Sequence, residues 1–258
     1  MEISNYLCQK KLGSGAFGAV YQASMKNSEE LLALKIVKNE PKYFKASQRE
    51  IQMLEKVNQL NLKDYPIVRM LDHFIENEIQ YLVFELLDVN MYHFYKRNTI
   101  TFKKTINIGK QVLMGLAFLH SLNIIHGDIK PENIMYDRKT EKVKIIDLGS
   151  SFYEPQKCEK GYSVFYIQSR YYRAPEVIYE IKRSVAIDIW SLGCVLFELL
   201  FKKPLFGGKN IKDMVYMFTE LIGIPPVSHN EYFSTQPPFY WTLYNWNIPP
   251  KFNLFKKI

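Results

Sequence analysis

One short stretch of the sequence carries polar side chains in an order that suits phosphoryl transfer. Asp128 is followed by Lys130 and Asn133, and Asp147 lies farther along the chain, after a short predicted β-hairpin. A carboxylate can accept the proton of an attacking hydroxyl, an ammonium group can offset phosphate charge, and an asparagine with a second aspartate can hold a divalent ion. We therefore predict a phosphoryl-transfer site with Asp128 and Lys130 as catalytic residues and Asn133 and Asp147 as metal ligands.

The order of these groups resembles the catalytic loop of protein kinases, which usually reads His-Arg-Asp-x-x-x-x-Asn. Asp128 and Asn133 stand at the matching positions, and Asp147 begins a triplet similar to the metal-binding Asp-Phe-Gly. Two residues depart from the common pattern, since Gly127 replaces the arginine and Leu148 replaces the phenylalanine. The way in which the activation segment is held is therefore not implied by the resemblance to most kinases.

The resemblance implies an α+β fold with two lobes, a small antiparallel sheet with one long helix and a larger, mainly helical lobe. We expect one protein kinase domain over residues 1–258, with the small lobe at 1–84, a hinge at 85–89, the large lobe at 90–226 and an aromatic, proline-rich tail at 227–258. Kinases normally continue through two more helices, and the tail lacks helical periodicity. We therefore expect these helices to be missing or divergent, with the tail or a partner covering the large lobe.

A glycine-rich string near the N-terminus predicts a loop that covers phosphates. Gly13, Gly15 and Gly18 have the spacing Gly-x-Gly-x-x-Gly, in which glycine lets backbone amides approach a phosphate and permits positive φ in a tight turn. The string alone is weak evidence, because dinucleotide-binding folds use a similar one. Here β-type residues follow it, so the loop is predicted to join antiparallel strands. The resemblance implies that the whole loop binds ATP: Leu12, Gly13, Ser14, Gly15, Ala16, Phe17, Gly18, Ala19 and Val20.

A lysine lies in the middle of the third predicted strand. Lys35 is flanked by apolar residues, where an unpaired ammonium group is costly, so it needs an anionic partner. The helix predicted for residues 44–60, from the helical spacing of Ile51, Leu54 and Val57, offers Glu50. By resemblance, Lys35 would bridge Glu50 and the ATP phosphates, which makes both residues part of the catalytic set. A surface lysine and an unrelated glutamate are the alternative.

An apolar strand at residues 80–87 is predicted to run into the hinge. The resemblance implies that Phe84 lies behind the adenine pocket and that backbone groups of Glu85 and Leu87 bond the base. Three further residues would sandwich the adenine ring: Val20, Ala33 and Met135. Ordinary core packing would explain these three equally well.

The segment after the metal-binding triplet indicates the kind of kinase. Lys130 is similar to the residue of the serine/threonine version of the catalytic loop. The string from Val164 to Glu176 resembles the dual-specificity tyrosine-regulated kinases and their homeodomain-interacting relatives, in the group that also holds cyclin-dependent and mitogen-activated kinases. This resemblance implies autophosphorylation of Tyr166, with Arg170 and Arg173 as the nearest guanidinium groups for the phosphate. The alternative is an unmodified tyrosine packed in a loop.

The composition excludes several classes of protein. Hydrophobic residues make up 47% and charged residues 23% of the 258 residues, which is typical of a folded domain. Cys8, Cys158 and Cys194 are far apart, so they indicate neither a disulfide framework nor a metal site and favour a reducing compartment. The N-terminus lacks a signal-peptide pattern, and the longest apolar run is interrupted by acidic residues. We expect an intracellular protein, in the cytoplasm and/or nucleus, without a membrane span.

A net charge of +8 could favour binding to nucleic acid, but the basic residues are scattered along the chain, so we expect no direct binding of nucleic acid.

The expected function is an ATP-dependent protein serine/threonine kinase with tyrosine autophosphorylation, which uses ATP and Mg²⁺ and acts on protein substrates. One alternative is a non-catalytic scaffold that kept the fold, since a fold alone does not establish activity. A nucleic-acid module is the other, and salt-sensitive binding would reveal it.

Overall fold

The computed structural model describes residues 1–15, 17–60, 65–154, 167–179 and 183–223. In these ranges a sheet with one long helix is followed by a mainly helical part, which confirms the predicted α+β class. The predicted tail at 227–258 lies outside the described residues, as do Tyr166 and Cys158.

Six strands form the sheet of the N-terminal part, and all neighbours in it run antiparallel. They are β1 (Glu2–Ile3), β2 (Tyr6–Ser14), β3 (Gly18–Met25), β4 (Leu31–Val37), β5 (Met70–Glu76) and β6 (Ile79–Glu85). Their order across the sheet is β1-β2-β3-β4-β6-β5, so β4 lies between β3 and β6. The three strands predicted from residues 6 to 37 are thus present, and the glycine-rich turn joins two of them.

The long helix α1 (Pro41–Gln59) packs against β4 and β5 and contacts the short 3-10 helix at Leu148–Ser150 in the second part. It begins three residues earlier than predicted, because proline is well tolerated in the first helical turn. Ile51, Leu54 and Val57 are buried, as their helical spacing predicted. This packing turns Glu50 inward, toward the sheet.

The second part contains short strands and five helices among the described residues. In chain order these are β7 (Val89–Asn90), α2 (Met91–Arg97), α3 (Phe102–Ser121), β8 (Ile124–Ile125), β9 (Ile134–Tyr136), β10 (Val143–Ile145), β11 (Phe152–Tyr153), α4 (Pro175–Ile178), α5 (Ala186–Phe201) and α6 (Ile211–Ile222). Strands β7, β9 and β10 form one small sheet, and β8 pairs with β11. The antiparallel β9–β10 hairpin is the one that the sequence predicted between the two metal-ligand candidates.

Helix α3 delivers the chain to the catalytic loop. Thr101 caps it by accepting a hydrogen bond from the backbone N–H of Lys104, and Val112 and Leu116 are fully buried as predicted. The helical spacing of the apolar residues also predicts Ile106 and Leu113 on or near this face, but both side chains are exposed on the flank of the helix. The buried face packs on α5 and β10 and thereby fixes where β8 and the catalytic loop begin.

None of the described helices combines the length and the hydropathy that crossing a bilayer requires.

Candidate active site

A cleft of about 320 Å³ lies between the first sheet and the β9–β10 hairpin. The cleft is lined by most of the residues predicted to bind ATP or metal, together with Glu50: Leu12, Gly13, Gly15, Phe17, Gly18, Val20, Ala33, Lys35, Glu50, Phe84, Glu85, Leu87, Asn133, Met135 and Asp147. Sequence reasoning missed Val68, Leu86, Asn90 and Ile146. Leu86 and Ile146 are chain neighbours of predicted residues and could have been included, whereas Val68 and Asn90 belong to no motif.

Three residues of the predicted ATP-binding loop are not among those that line the cleft. Ala19 precedes Val20 on β3, and alternate residues of a strand face opposite sides of a sheet. Ser14 is exposed at the end of β2, and Ala16 lies outside the described residues. Val20, the neighbour of Ala19, lies opposite Lys35 on β4, and its side chain faces the cleft.

The glycines of the turn act through their missing side chains. A Cβ on Gly18 would lie 2.0 Å from the backbone oxygen of Ile36, so the start of β3 can approach β4 only with glycine here. A Cβ on Gly13 or Gly15 would meet nothing within 4 Å, which leaves room for a phosphate chain beneath the turn. None of these three glycines uses the positive φ that glycine permits; the described glycines with positive φ are Gly127 and Gly223.

Lys35 lies between two carboxylates at the inner end of the cleft. Its Nζ donates to both oxygens of Glu50, at 3.0 and 2.7 Å, and lies 3.6 Å from Oδ1 of Asp147. The side chain of Lys35 is 14% exposed and that of Glu50 is 3% exposed. Burial acts to lower the pKa of Lys35, but the two carboxylates outweigh it and hold that pKa above its ordinary value. The ammonium group is therefore a fixed positive charge facing the cleft.

Asp147 is held in the left-handed region, at φ 66° and ψ 75°, where a short 3-10 helix at Leu148–Ser150 begins. Its burial acts to raise the pKa of the carboxyl group, but the electrostatic effects of Lys35, His126 and Lys130 hold that pKa below its ordinary value. Asp147 is therefore ionised at neutral pH, as a ligand of a divalent cation must be.

Asn133 is placed beside Asp147 by the backbone. The N–H of Ile146 donates to the carbonyl of Asn133 at 3.0 Å, and Asp147 follows Ile146 directly. The Asn133 amide nitrogen donates to the backbone oxygen of Asp128 at 2.9 Å and to its Oδ2 at 3.2 Å, so the amide oxygen is the group left for a ligand. An amide oxygen with a carboxylate fits Mg²⁺, which takes hard oxygen ligands and usually completes its shell with phosphates and water.

The carboxylate of Asp128 is oriented by several donors. Oδ1 accepts from the backbone N–H of Ser169 at 3.0 Å and from its hydroxyl at 2.7 Å. Oδ2 accepts from Lys130 Nζ at 2.6 Å, and Lys130 also donates to the Ser169 hydroxyl at 3.1 Å. Sequence reasoning missed Ser169, although it lies inside the string that resembles the kinase activation segment. The arrangement fixes a proton acceptor next to a positive charge.

Asp188, at the start of α5, ties the catalytic loop to the helical core. It is fully buried and accepts from the backbone N–H of His126 at 2.8 Å, from that of Gly127 at 2.9 Å and from the ring of His120 at 2.9 Å. Gly127 has φ +73°, and a Cβ there would lie 3.0 Å from the backbone oxygen of Ser150. Glycine therefore suits this position better than a residue with a side chain.

We predict that Asp188→Asn lowers the free energy of unfolding by about 1–2 kcal/mol, because one buried N–H loses its acceptor. Urea denaturation would measure it. The matched control is Asp213→Asn on α6, which changes a less buried carboxylate that accepts from the N–H of Lys209. Equal effects of the two substitutions would contradict the role of Asp188 in holding the loop.

The two arginines predicted to meet a phosphate on Tyr166 differ in their surroundings. Arg170 is exposed, and its Nη1 donates to the backbone oxygen of Lys209 at 2.5 Å. Arg173 is buried, and its guanidinium donates to the backbone oxygens of Ile167 and Gln168 at 3.0 and 2.8 Å. Burial also lowers the pKa of Arg173 below its ordinary value. Their role as phosphate partners stays a prediction.

Comparison with known proteins gives a family match over most of the chain. The family described as "Protein kinase domain" matches residues 6–238, which extends past residue 226, the predicted end of the large lobe. Homeodomain-interacting protein kinase 1 of Caenorhabditis elegans is 38% identical over 223 residues, which is 84% of this chain and 26% of that protein. The Mus musculus protein of the same name is 38% identical over 228 residues, 86% of this chain and 18% of that protein.

A third relative carries the other predicted subgroup name. Dual specificity tyrosine-phosphorylation-regulated kinase mbk-2 of Caenorhabditis briggsae is 37% identical over 226 residues, 86% of this chain and 27% of that protein. The chain thus spans between 18% and 27% of the length of these three relatives. The comparisons do not support the predicted partner over the large lobe. The chain belongs to the protein kinase family, in the subgroup of the homeodomain-interacting and dual-specificity tyrosine-phosphorylation-regulated kinases.

Proposed function

We propose that the chain transfers the γ-phosphate of magnesium ATP to serine and threonine hydroxyls of proteins and phosphorylates its own Tyr166. One observation carries this proposal. The Lys35–Glu50–Asp147 cluster lines the cleft, and the Asp128–Lys130–Asn133 cluster reaches it through Asn133, the one of these three residues that lines it. An intracellular location, in the cytoplasm or nucleus, is part of the proposal.

The shape and polarity of the cleft favour ATP as the ligand. Its outer part is lined by apolar side chains, including Val20, Ala33 and Met135, which suit a flat base. Its inner part holds the ammonium group of Lys35 and the carboxylate of Asp147, which suit a triphosphate with a divalent cation. Bound magnesium would offset negative charge on the phosphate oxygens. In this proposal Asn133 and Asp147 hold that ion.

Transfer would proceed by attack of a substrate hydroxyl on the γ-phosphorus. A bond forms between the hydroxyl oxygen and the phosphorus, the bond to the bridging oxygen of ATP breaks, and ADP leaves. Asp128 orients the hydroxyl and accepts its proton, and the donors around that carboxylate keep it in one orientation. Lys130 and Lys35 offset the charge that shifts between the oxygens.

The experiment is a transfer assay with radiolabelled ATP, magnesium and a basic protein rich in serine and threonine. We expect label on serine and threonine of the substrate, and we expect chelation of the divalent ion to abolish it, because Asn133 and Asp147 would then hold no cation. Addition of excess magnesium should restore the activity. Label that persists in the chelator would contradict the proposed metal site, and absence of label under all conditions would contradict the proposed activity.

Tyrosine autophosphorylation has a separate test. Resemblance to the named subgroup favours Tyr166, and Val164 stands where many members have a second tyrosine, so we expect one phosphate at this pair. Intact-mass analysis with peptide mapping of freshly expressed protein should place a phosphate on Tyr166. The Asp128→Asn variant should lack it if the modification is made by the chain itself. A fully active sample without phosphotyrosine would contradict this part of the proposal.

A further inference from the structure

The segment at residues 85–89, called the hinge segment below, is tied to the β9–β10 hairpin at its first residue. Oε1 of Glu85 accepts from Nζ of Lys144 on β10 at 2.5 Å and from the backbone N–H of Arg69 at 2.8 Å. The backbone N–H of Glu85 in turn donates to the carbonyl of Arg69 at 3.2 Å. The side chains of Glu85 and Lys144 are 25% and 24% exposed, so their ion pair is partly shielded from water.

A second ion pair holds the other end of the hinge segment to the same hairpin. Asp88 accepts from Nε and Nη2 of Arg138 at 2.7 and 2.5 Å and from the Arg138 backbone N–H at 3.1 Å. Arg138 is 64% exposed, so solvent screens this pair more strongly than the first. Beyond Asp88 the chain joins the small sheet, where Val89 lies opposite Tyr136 on β9.

These contacts connect two walls of the cleft. Leu86 and Leu87, which line the cleft, lie between the two tethered residues. Met135 on β9 lines the cleft as well, and β10 leads through Ile146 to Asp147. The position of the hinge backbone relative to Met135 therefore depends on the side chains that join the hinge segment to the hairpin.

We propose that Lys144 is a positioning residue for adenine recognition, which it performs by holding Glu85 and thereby the hinge backbone in register with the hairpin. This inference rests on the proposed use of ATP in the cleft. Lys144 contacts Glu85 from the hairpin and does not line the ATP cleft, so its effect on the nucleotide passes through the hinge segment. Loss of Lys144 would free the carboxylate of Glu85 from the hairpin while leaving the phosphate end of the cleft unchanged.

The test is the variant Lys144→Met, with Lys142→Met as its matched control. Lys142 is exposed just before β10. We expect Lys144→Met to raise KM for ATP roughly three- to tenfold, between the effects of an exposed and a buried ion pair, with kcat changed less than about twofold. Selectivity for ATP over GTP should fall, because a displaced hinge backbone would form less specific hydrogen bonds with the adenine base. Lys142→Met should match the wild type, and Lys144→Arg should restore the wild-type KM.

Direct titration with ATP separates this inference from the proposed function. If the wild type binds ATP but transfers no phosphate, the proposed activity is wrong, and the dissociation constants of the variants still test Lys144. Unchanged affinity and unchanged ATP-to-GTP selectivity in Lys144→Met would overturn the inference. A loss of kcat and thermal stability at constant KM would also overturn it, because that pattern indicates only a structural role.

Discussion

Replacement of Asp128 by asparagine is expected to lower the rate of phosphoryl transfer roughly 10²- to 10⁴-fold, the range for a lost general acid–base group. An amide cannot accept the proton of the substrate hydroxyl. It still offers an oxygen to the N–H and hydroxyl of Ser169, which reach Oδ1 at 3.0 and 2.7 Å, but its NH2 group cannot accept the hydrogen bond that Lys130 donates to Oδ2. Initial rates at saturating ATP measure the effect.

The control for this prediction is Asp137→Asn. Asp137 accepts from the backbone N–H groups of Lys139 and Thr140 in the turn of the β9–β10 hairpin, away from the cleft. Its substitution should leave the rate within about twofold of the wild type. ATP titration of the Asp128 variant should show unchanged affinity, because Asp128 is not among the residues that line the cleft. Equal background rates in wild type and Asp128→Asn would favour the scaffold alternative.

Replacement of Lys35 by methionine should be the most damaging change at the nucleotide end of the cleft. It removes the cation that contacts Glu50 at 2.7 Å and lies 3.6 Å from Asp147. We expect transfer to fall roughly 10²- to 10³-fold, because a preorganised positive charge at the phosphates is lost. The free energy of unfolding should fall by about 2–4 kcal/mol at neutral pH, since a buried carboxylate loses its partner.

The pH dependence of stability gives a second measure of the same change. Burial already raises the pKa of Glu50, and Lys35 opposes this effect, so loss of Lys35 raises that pKa further. An acid whose pKa is raised by folding costs no stability while it is protonated in both states, and costs progressively more as the pH rises from its unfolded pKa to its folded pKa. Urea denaturation should therefore show a small deficit near pH 4 and a larger one at pH 7. A deficit that does not vary with pH would contradict this explanation.

The double variant Lys35→Met/Glu50→Leu separates stability from activity. Removal of both charges replaces a buried ion pair by apolar groups, which is often neutral for stability. We expect the double variant to recover most of the lost unfolding free energy and none of the lost transfer rate. Recovery of activity together with stability would show that Lys35 acts only in folding.

The sequence predicted features that depend on local spacing or on a family motif. The amphipathic pattern of residues 211–222 predicts a helix with the bounds that α6 has, and the buried face of α1 follows the spacing of Ile51, Leu54 and Val57. Lys35 needed a carboxylate for a general reason, the cost of an unpaired charge in an apolar strand, and Glu50 supplies it.

The missed features are contacts across long separations in the chain. Ser169 reaches Asp128 from 41 residues away, and Lys144 reaches Glu85 from 59 residues away. No local period encodes either contact, because each depends on how the small sheet, the hairpin and α5 pack. The exposure of Ile106 has the same origin, since helical spacing alone does not say which flank of α3 the core will cover.

The most direct test of the ATP site is a crystal structure of the chain with a non-hydrolysable ATP analogue and magnesium. We expect the triphosphate beneath the turn that contains Gly13 and Gly15, within hydrogen-bonding distance of Lys35, and the metal ion bound to oxygens of Asn133 and Asp147. An empty cleft at saturating analogue, or a nucleotide whose phosphates lie away from Lys35, would contradict the proposed site.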